Sequence, residues 1–294
     1  MTGKPRRIVD AHVHLWDPAR RDWYPYLSSG QALGAVGGAG PGAPARMNRR
    51  FGVDTHRAES AGWKVDKLVN VAAATGGHAV EETLALDAAA ESNGGPQAIV
   101  GGLPPTDTVA EAVALLDRQM AAARFRGVRP MGGLDRPVPE RQVLGALAER
   151  NLVFELMAHP DQLLPAAEQL AGIDDLVVVV EHTGWPRSDS GEERVLWRAG
   201  LDALAGLGGQ VVCKLSGLAM PLQSVAVEVL RPWLEAAIEI FGVDRCMFAS
   251  NFPVDSMFGT FDELYGTFDA VTAGLDDESR TKLFAANAER VYRC

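Results

Sequence analysis

Short apolar runs alternate with longer segments of helical periodicity along most of the chain. The run Val177-Val178-Val179-Val180 is continuous rather than alternating, as expected for a parallel strand that is buried on both faces. Eight such runs are predicted to be strands, at residues 8–11, 68–72, 98–102, 127–130, 153–157, 176–181, 211–215 and 246–249.

The segments between these strands have helical patterns, near residues 78–92, 108–123, 139–150, 160–171, 192–204 and 224–241. Asp161 and Ser224 are of types that cap helices, and they stand near two of the predicted starts. Repeated alternation of strand and helix is typical of a (β/α)8 barrel, a fold that often exceeds 200 residues. We therefore predict a single α/β domain, a TIM barrel spanning residues 1–294.

The segment 28–45 departs from this alternation because glycine and proline dominate it. Such a composition buries little apolar surface, so we predict a mobile loop. The loop follows the first strand, and barrel active sites lie at the C-terminal ends of the strands. A lid over the site and an insert without a functional role are equally consistent with this pattern.

Composition narrows the class of protein. Of the 294 residues, 47% are hydrophobic and 22% are charged, as in ordinary globular proteins. The net charge of −10 and the lack of a basic run argue against nucleic acid as a partner. We find neither a secretory signal nor an apolar run long enough to span a membrane. The three cysteines are far apart and form no Cys-x-x-Cys motif, so we expect reduced thiols in a cytoplasmic protein.

The tripeptide His12-Val13-His14 gives the first indication of chemistry. It follows the first predicted strand directly, and residues two apart on a strand point to the same face. Two neutral imidazoles side by side are suited to binding a divalent ion such as zinc. Two histidines that are merely hydrogen-bonded at a strand end are the alternative.

Polar residues also stand at the C-terminal ends of other predicted strands. One polar group in an apolar strand can be a paired structural residue, whereas a series at the same end of successive strands indicates a shared site. The series consists of Arg129 after strand four, Glu155 and His159 at strand five, Glu181 and His182 at strand six, Lys214 and Ser216 at strand seven, and Asn251 and Asp255 after strand eight.

Five segments carry a resemblance to a known family. They are residues 10–17 (DAHVHLWD), 125–129 (FRGVR), 181–186 (EHTGWP), 213–217 (CKLSG) and 248–255 (FASNFPVD). In this order they resemble the amidohydrolase-related family of the amidohydrolase superfamily. The resemblance is closest to the branch that contains 2-pyrone-4,6-dicarboxylate lactonase and the lactonases of fuconic and rhamnonic acids. It runs from Ile8 to Tyr292 and implies a hydrolase.

The resemblance implies roles for individual residues. His12 and His14 match a first-strand pair that binds metal, or in some lactonases the substrate. His182 matches the histidine that completes that site or polarises the scissile carbonyl. Arg129 matches an arginine that grips a substrate carboxylate through its bidentate fork, and the ammonium of Lys214 could stabilise a developing oxyanion. Further candidates for contacts with the substrate are Trp16, His159 and Trp185.

One expected catalytic position departs from the family pattern. Asn251 stands where the family usually has an aspartate that binds metal and takes a proton from the attacking water. A neutral amide cannot accept that proton. Glu155 and Asp255 are equally good substitutes on sequence grounds, and Glu155 could also be a metal ligand, whereas Glu181 could orient His182. A reaction without deprotonation of water is a third alternative.

The leading hypothesis is a hydrolase that opens a lactone of a small carboxylated or sugar acid, assisted by a divalent ion with zinc as the first candidate. Decarboxylation or carbon–carbon hydrolysis at the same site is a close alternative. The competing class is a barrel that has lost its base and only binds a small acid, although Arg129, Lys214 and three histidines argue against it. The sequence leaves open the identity of the substrate and the oligomeric state, with a homo-oligomer among the alternatives.

Overall fold

The computed structural model describes residues 7–29, 43–131 and 135–294. Its strands are β1 (Ile8–Val13), β2 (Val65–Val71), β3 (Ala98–Leu103), β4 (Phe125–Pro130), β5 (Val153–Leu156), β6 (Val178–Val180), β7 (Val211–Leu215) and β8 (Cys246–Phe248). They form one sheet in chain order, and every neighbouring pair is parallel.

The sheet closes through contacts between the chain after β8 and the end of β1. Val13 forms a parallel bridge with Phe252. The backbone N–H of Asn251 donates to the His12 carbonyl at 2.8 Å, and that of His14 donates to the Phe252 carbonyl at 2.8 Å. The prediction of a (β/α)8 barrel is confirmed.

Helices surround the sheet and follow most of its strands. They are α1 (Pro25–Ser29), α2 (Ala43–Met47), α3 (Val53–Glu59), α4 (His78–Asn93), α5 (Val109–Gln119), α6 (Arg141–Glu149), α7 (Pro160–Leu170), α8 (Gly191–Gly206), α9 (Ala219–Leu222), α10 (Val227–Phe241), α11 (Phe261–Val271), α12 (Asp277–Thr281) and α13 (Asn287–Tyr292). The six predicted helices correspond to α4 to α8 and α10. Apart from α11, the helices that the pattern misses span seven residues or fewer, too short for a clear helical period.

Two of the strand ends that differ from their predicted positions affect the site. β1 continues to Val13 instead of ending at residue 11, so His12 lies within the strand. β6 ends at Val180 instead of residue 181, and Glu181–Gly184 form a 3-10 turn. The chain therefore leaves the sheet after Val180, and Glu181, the first polar residue of this segment, already belongs to the turn.

The N-caps of two helices lie two residues from the residues predicted near their starts. The N-cap of α7 is His159, which puts Asp161 in the first turn of the helix. The N-cap of α10 is Ala226, whose backbone N–H donates to Ser224 Oγ at 3.1 Å. Both polar residues thus lie near the helix starts without occupying the cap position.

Most of the predicted glycine-rich loop lies outside the described residues. Its described ends are helical, since residues 28–29 belong to α1 and residues 43–45 belong to α2. The hypothesis of a lid concerns residues that the structure does not describe.

Two apolar layers hold the barrel together. In the interior, valines such as Val71 and Val179 pack with Tyr292 of α13, and outside the sheet, large side chains such as Trp233 fill the space beneath the helices. α13 lies at the N-terminal end of the barrel, because Arg293 just after it donates to the carbonyl of residue 151, ahead of β5, at 2.8 Å. The C-terminal helix and the predicted site therefore lie at opposite ends.

The cysteines are free thiols, and two of them, Cys213 and Cys246, are buried. In the described ranges, every helix is too short or too polar to cross a membrane.

Candidate active site

An irregularity in β1 decides which of its polar side chains face the barrel interior. The pairing with β2 shifts between Asp10 and Val13, where β1 holds one residue more than β2. Such a bulge re-aims the side chains that follow it. His12 and His14 reach the interior, whereas Asp10 Oδ2 lies 2.8 Å from Nε2 of His56 on α3.

His12 and His14 lie side by side, as their spacing predicts. Their Nε2 atoms are 3.2 Å apart. His14 Nδ1 lies 2.8 Å from the carbonyl oxygen of Val71. Because a carbonyl only accepts hydrogen bonds, Nδ1 carries the proton and Nε2 presents a lone pair. A backbone bond on the rear nitrogen is the usual way in which a metal-binding histidine is oriented.

A left-handed turn after β6 brings a third histidine to the same place. His182 and Thr183 have φ values of 53° and 57°, a backbone conformation that is costly for non-glycine residues and clusters at functional sites. His182 Nδ1 lies 3.1 Å from Ser216 Oγ, and the ring centroids of His182 and His12 are 4.7 Å apart. Gly217 leaves room for this ring, since a Cβ at that position would lie 2.4 Å from His182 Nδ1.

Glu181 completes a group of ligands that fits a divalent cation. His12, Glu181 and His182 each offer one ligand atom, and these atoms all lie within 4.8 Å of one another. The three side chains are buried, and Glu181 Oε1 accepts no hydrogen bond within the described part of the chain. Imidazole and carboxylate are ligands that zinc takes. Compared with the expected set of His12, His14 and His182, Glu181 joins this group and His14 flanks it beside His12.

Burial keeps the three imidazoles neutral. Desolvation lowers the pKa of His12 and of His14 well below the usual 6.5, and it lowers the pKa of His182 to about 3. The positive charges of Arg129 and Lys214 lower these pKa values further. Neutral imidazoles offer lone pairs at neutral pH, as the binding of a cation requires.

Arg129 lies against Glu181, and both terminal nitrogens of its guanidinium already contact acceptors. Nη2 donates to the carbonyl of Ala72, and Nη1 lies 3.5 Å from Glu181 Oε2. Only 8% of the residue is exposed, and among the described residues nothing accepts a hydrogen bond from Nε. The guanidinium therefore holds Glu181 in place, and its buried Nε remains a donor without an acceptor in the described part of the chain.

Glu155 and Lys214 face each other in the barrel interior. Lys214 Nζ donates to the two carboxylate oxygens at 2.8 and 2.7 Å, and the Tyr292 hydroxyl also donates to Oε1. Burial raises the pKa of Glu155, while the ammonium of Lys214 opposes that rise. Since both oxygens already accept hydrogen bonds, this geometry does not favour Glu155 as the base. It also commits Lys214 to Glu155 rather than to an oxyanion.

Asn251 and Asp255 form a second buried pair, after β8. Asn251 has a φ of 56°, and its Nδ2 donates to Asp255 Oδ1 at 2.8 Å. Asp255 also accepts the backbone N–H groups of Gly217 and Ala219, but burial still raises its pKa to about 8. A carboxyl group that holds its proton at neutral pH is poorly suited to take one from water. Asn251 Oδ1 is buried without a donor in the described ranges, so it can serve as an acceptor.

Aromatic rings flank the histidines. Trp16 stacks on His14 with centroids 5.7 Å apart, and Trp185 meets His182 edge-on at 5.8 Å. His159 stacks on Trp185 at 4.8 Å, and its Nδ1 lies 3.0 Å from the Trp185 carbonyl oxygen. The three residues expected to contact the substrate therefore lie in one row with the histidine cluster.

Three polar residues that support this site are missed by the sequence analysis. Asp10 pairs with His56 behind β1, and its Oδ1 accepts the backbone N–H of Ser250 at 2.7 Å, which ties β1 to the chain after β8. Tyr292 reaches Glu155 from the C-terminal helix. Asp10 stands in the same segment as the histidine pair and could have been found there. No pattern links His56 or Tyr292 to partners that lie 46 and 137 residues away.

Comparisons with known proteins agree with the resemblance noted in the sequence. The model of a protein family described as amidohydrolase matches residues 9–294. An uncharacterized protein of Sinorhizobium fredii is 33% identical over 301 residues, which cover 97% of this chain and 98% of that protein. An L-fucono-1,5-lactonase of Burkholderia ambifaria is 29% identical over 302 residues, which cover 97% of this chain and 95% of the lactonase.

A solved structure shares the fold. It is the crystal structure of an amidohydrolase from Burkholderia multivorans with bound zinc, and it aligns with a TM-score of 0.78 at 23% identity. The alignment covers 97% of this chain and 99% of that one. The zinc is a property of that protein, and the likeness between the two chains extends to the barrel.

Proposed function

Because the chain belongs to the amidohydrolase family, we propose that it is a hydrolase that opens a lactone of a small sugar acid or carboxylated acid with the help of a divalent ion. The observation that carries the proposal is the buried group of His12, Glu181 and His182, with ligand atoms within 4.8 Å of one another. The similarity to an L-fucono-1,5-lactonase along nearly the whole chain supports a lactone as the substrate class.

The donor set suits zinc better than a harder cation. His12 and His182 would hold the ion, with Glu181 and His14 as candidates for the remaining protein ligand. Imidazole nitrogens combined with one carboxylate are a common zinc set, whereas calcium and magnesium prefer oxygen ligands. When bound, the ion would polarise the lactone carbonyl and lower the pKa of a water molecule beside it.

We assign the acceptance of the water proton to Glu181. Its Oε1 accepts no hydrogen bond from the described residues, in contrast to both oxygens of Glu155. Arg129 holds the other oxygen of Glu181 from 3.5 Å. In this reaction the water oxygen bonds to the carbonyl carbon, the ring C–O bond breaks, and the proton on Glu181 passes to the leaving alkoxide. The product is the open-chain hydroxy acid.

The lining of the site favours a small polar ring. Trp16 and Trp185 place apolar rings at either end of the row of histidines. Asn251 Oδ1 supplies an acceptor for a substrate hydroxyl, and Arg129 Nε supplies a donor for a carboxylate or hydroxyl oxygen. A polyhydroxylated or carboxylated lactone satisfies both groups, whereas an unsubstituted alkyl lactone leaves them buried and unpaired, which is unfavourable.

A panel of lactones tests the proposal. Five- and six-membered sugar-acid lactones and a carboxylated pyrone are incubated with zinc-loaded protein, and the products are analysed. We expect the ring-opened acid from at least one of them and none with His182→Asn. Release of carbon dioxide from an aromatic acid would indicate the decarboxylase alternative. Tight binding of a small acid with no turnover of any lactone would support the non-catalytic class.

Glu181→Gln distinguishes the two roles open to Glu181. A variant that keeps its zinc while kcat falls by about 10²–10⁴ identifies a proton acceptor. A variant that loses zinc identifies a ligand instead. Glu111→Gln, at the exposed start of α5, removes a carboxylate whose hydrogen bonds go to the backbone of Asp107 and Thr108 and to no site residue, so it should change neither zinc content nor kcat.

A further inference from the structure

A chain of buried polar contacts runs from the C-terminal helix to the histidine site. The Tyr292 hydroxyl donates to Glu155 Oε1 at 2.5 Å. Glu155 accepts Lys214 Nζ at both oxygens, and Lys214 Nζ in turn lies 3.4 Å from His12 Nδ1. These four side chains are 0% exposed. Tyr292 enters from the end of the barrel opposite to the histidines, so the chain of contacts spans the interior.

The ion pair between Glu155 and Lys214 depends on Tyr292. Removing two charges from water is costly, and their attraction offsets that cost only if further hydrogen bonds satisfy the remaining polar atoms. The Tyr292 hydroxyl gives Glu155 its third hydrogen bond, at a length typical of a charge-assisted O–H donor. The Tyr292 ring also lies 5.3 Å from Lys214 Nζ. A single side chain thus contacts both members of the pair.

The position of Lys214 affects His12 directly. An ammonium group has three donors, and two of them point to Glu155. The remaining side of the ammonium faces the His12 ring at 3.4 Å. If Glu155 moves, Lys214 moves with it, and the ring that belongs to the proposed metal site loses its neighbour on the Nδ1 side.

We infer that Tyr292 is a positioning residue for the histidine site, which acts by fixing Glu155 and Lys214 and through them the ring of His12. The C-terminal helix α13 is then part of the scaffold of the active site rather than only a cover for the far end of the barrel. The inference rests on the proposed function for its effects on metal and substrate, but its effect on His12 is independent of that function.

Tyr292→Phe tests this inference, because it removes one oxygen atom and keeps the ring. We expect Co²⁺, followed by its visible spectrum, to bind about tenfold more weakly, the lower end of the effect of removing groups that orient ligating histidines. We expect kcat to fall by a similar factor and KM to change little, because none of the residues proposed to contact the substrate is altered. In the metal-free protein, the side-chain ¹⁵N signals of His12, assigned by their loss in His12→Gln, should shift or broaden.

Val291→Ala is the matched control. It loosens the packing of α13 in the barrel interior. It leaves in place the polar contacts that connect Tyr292 through Glu155 and Lys214 to His12. It should lower Tm while Co²⁺ affinity and the His12 signals stay as in the wild type. An equal loss of affinity in Val291→Ala, or wild-type affinity and signals in Tyr292→Phe, would overturn the inference. If the wild-type protein neither binds Co²⁺ nor opens a lactone, the proposed function fails, and the His12 signals alone decide the role of Tyr292.

Discussion

Replacing Gly217 by alanine should displace His182 and impair the site while the fold survives. Gly217 has a φ of 67°, and a Cβ at this position would lie 2.4 Å from both Cγ and Nδ1 of His182. Ordinary van der Waals contact begins at 3.4 Å, so the ring has to move by about 1 Å. That movement also strains the contact of 3.1 Å between His182 Nδ1 and Ser216 Oγ.

Two separate effects determine the size of the change. Left-handed backbone costs a residue with a Cβ roughly 1–2 kcal/mol, so the free energy of unfolding of Gly217→Ala should fall by about that much. A misplacement of about 1 Å at a reacting centre can cost about 10²-fold in rate. We therefore expect kcat for lactone opening to fall by about 10², together with weaker binding of zinc.

Gly242→Ala separates these two effects. Gly242 has a φ of 78° and a ψ of 159°, a backbone region essentially confined to glycine, and none of the described atoms lies within 4 Å of its added Cβ. This variant therefore carries backbone strain without the collision. Urea denaturation should show a loss of stability in Gly242→Ala at least as large as that in Gly217→Ala, and the lactone assay should show a loss of kcat only in Gly217→Ala. Wild-type kcat and zinc content in Gly217→Ala, or an equal loss of kcat in Gly242→Ala, would show that the collision with His182 does not control the site.

Three further predictions concern ionisable residues of the site. Arg129→Lys keeps the positive charge but loses the bidentate geometry of the guanidinium. KM for a carboxylated lactone should therefore rise about tenfold, which corresponds to the loss of one hydrogen bond to a charged group. An unchanged KM in a variant that is partly unfolded would instead identify Arg129 as a structural residue. Glu155→Gln leaves the buried ammonium of Lys214 without a partner and should lower the free energy of unfolding by about 3–5 kcal/mol in urea, whereas Glu155→Gln with Lys214→Met should recover most of it. Burial raises the pKa of Asp255 from 3.8 to about 8, so the folded protein holds a proton there that the unfolded chain releases above about pH 4. The contribution of Asp255 to the free energy of unfolding therefore falls as pH rises from about 4 and is gone once pH has risen through about 8. Asp255→Asn should flatten that fall in urea titrations.

The barrel and the outline of the site were accessible from the sequence because both depend on local patterns. Continuous apolar runs identify parallel strands, and the spacing of His12 and His14 places both rings on one face. The placement of His182, Glu181 and Asn251 at strand ends brings them to the same end of the barrel without any knowledge of long-range contacts.

The roles of the carboxylates were not accessible in the same way. Glu155 has the sequence context of a base, and only the fold shows that Lys214 occupies both of its oxygens. Glu181 joins His12 and His182 as a candidate ligand because β6 ends early and a 3-10 turn re-aims the chain. Whether a strand residue is a ligand or the partner of an ion pair depends on the facing strand, and local sequence does not encode that.

In the proposed reaction, a divalent ion held by His12 and His182, with Glu181 beside them, supports the opening of a lactone. The most direct measurement adds zinc stepwise to chelator-treated protein and follows the rate of ring opening of the best substrate in the panel. We expect a rate that rises in proportion to added zinc up to one equivalent per chain, and a flat response in His12→Ala. A full rate in the metal-free protein, or a zinc response that survives His12→Ala and His182→Ala, would contradict it.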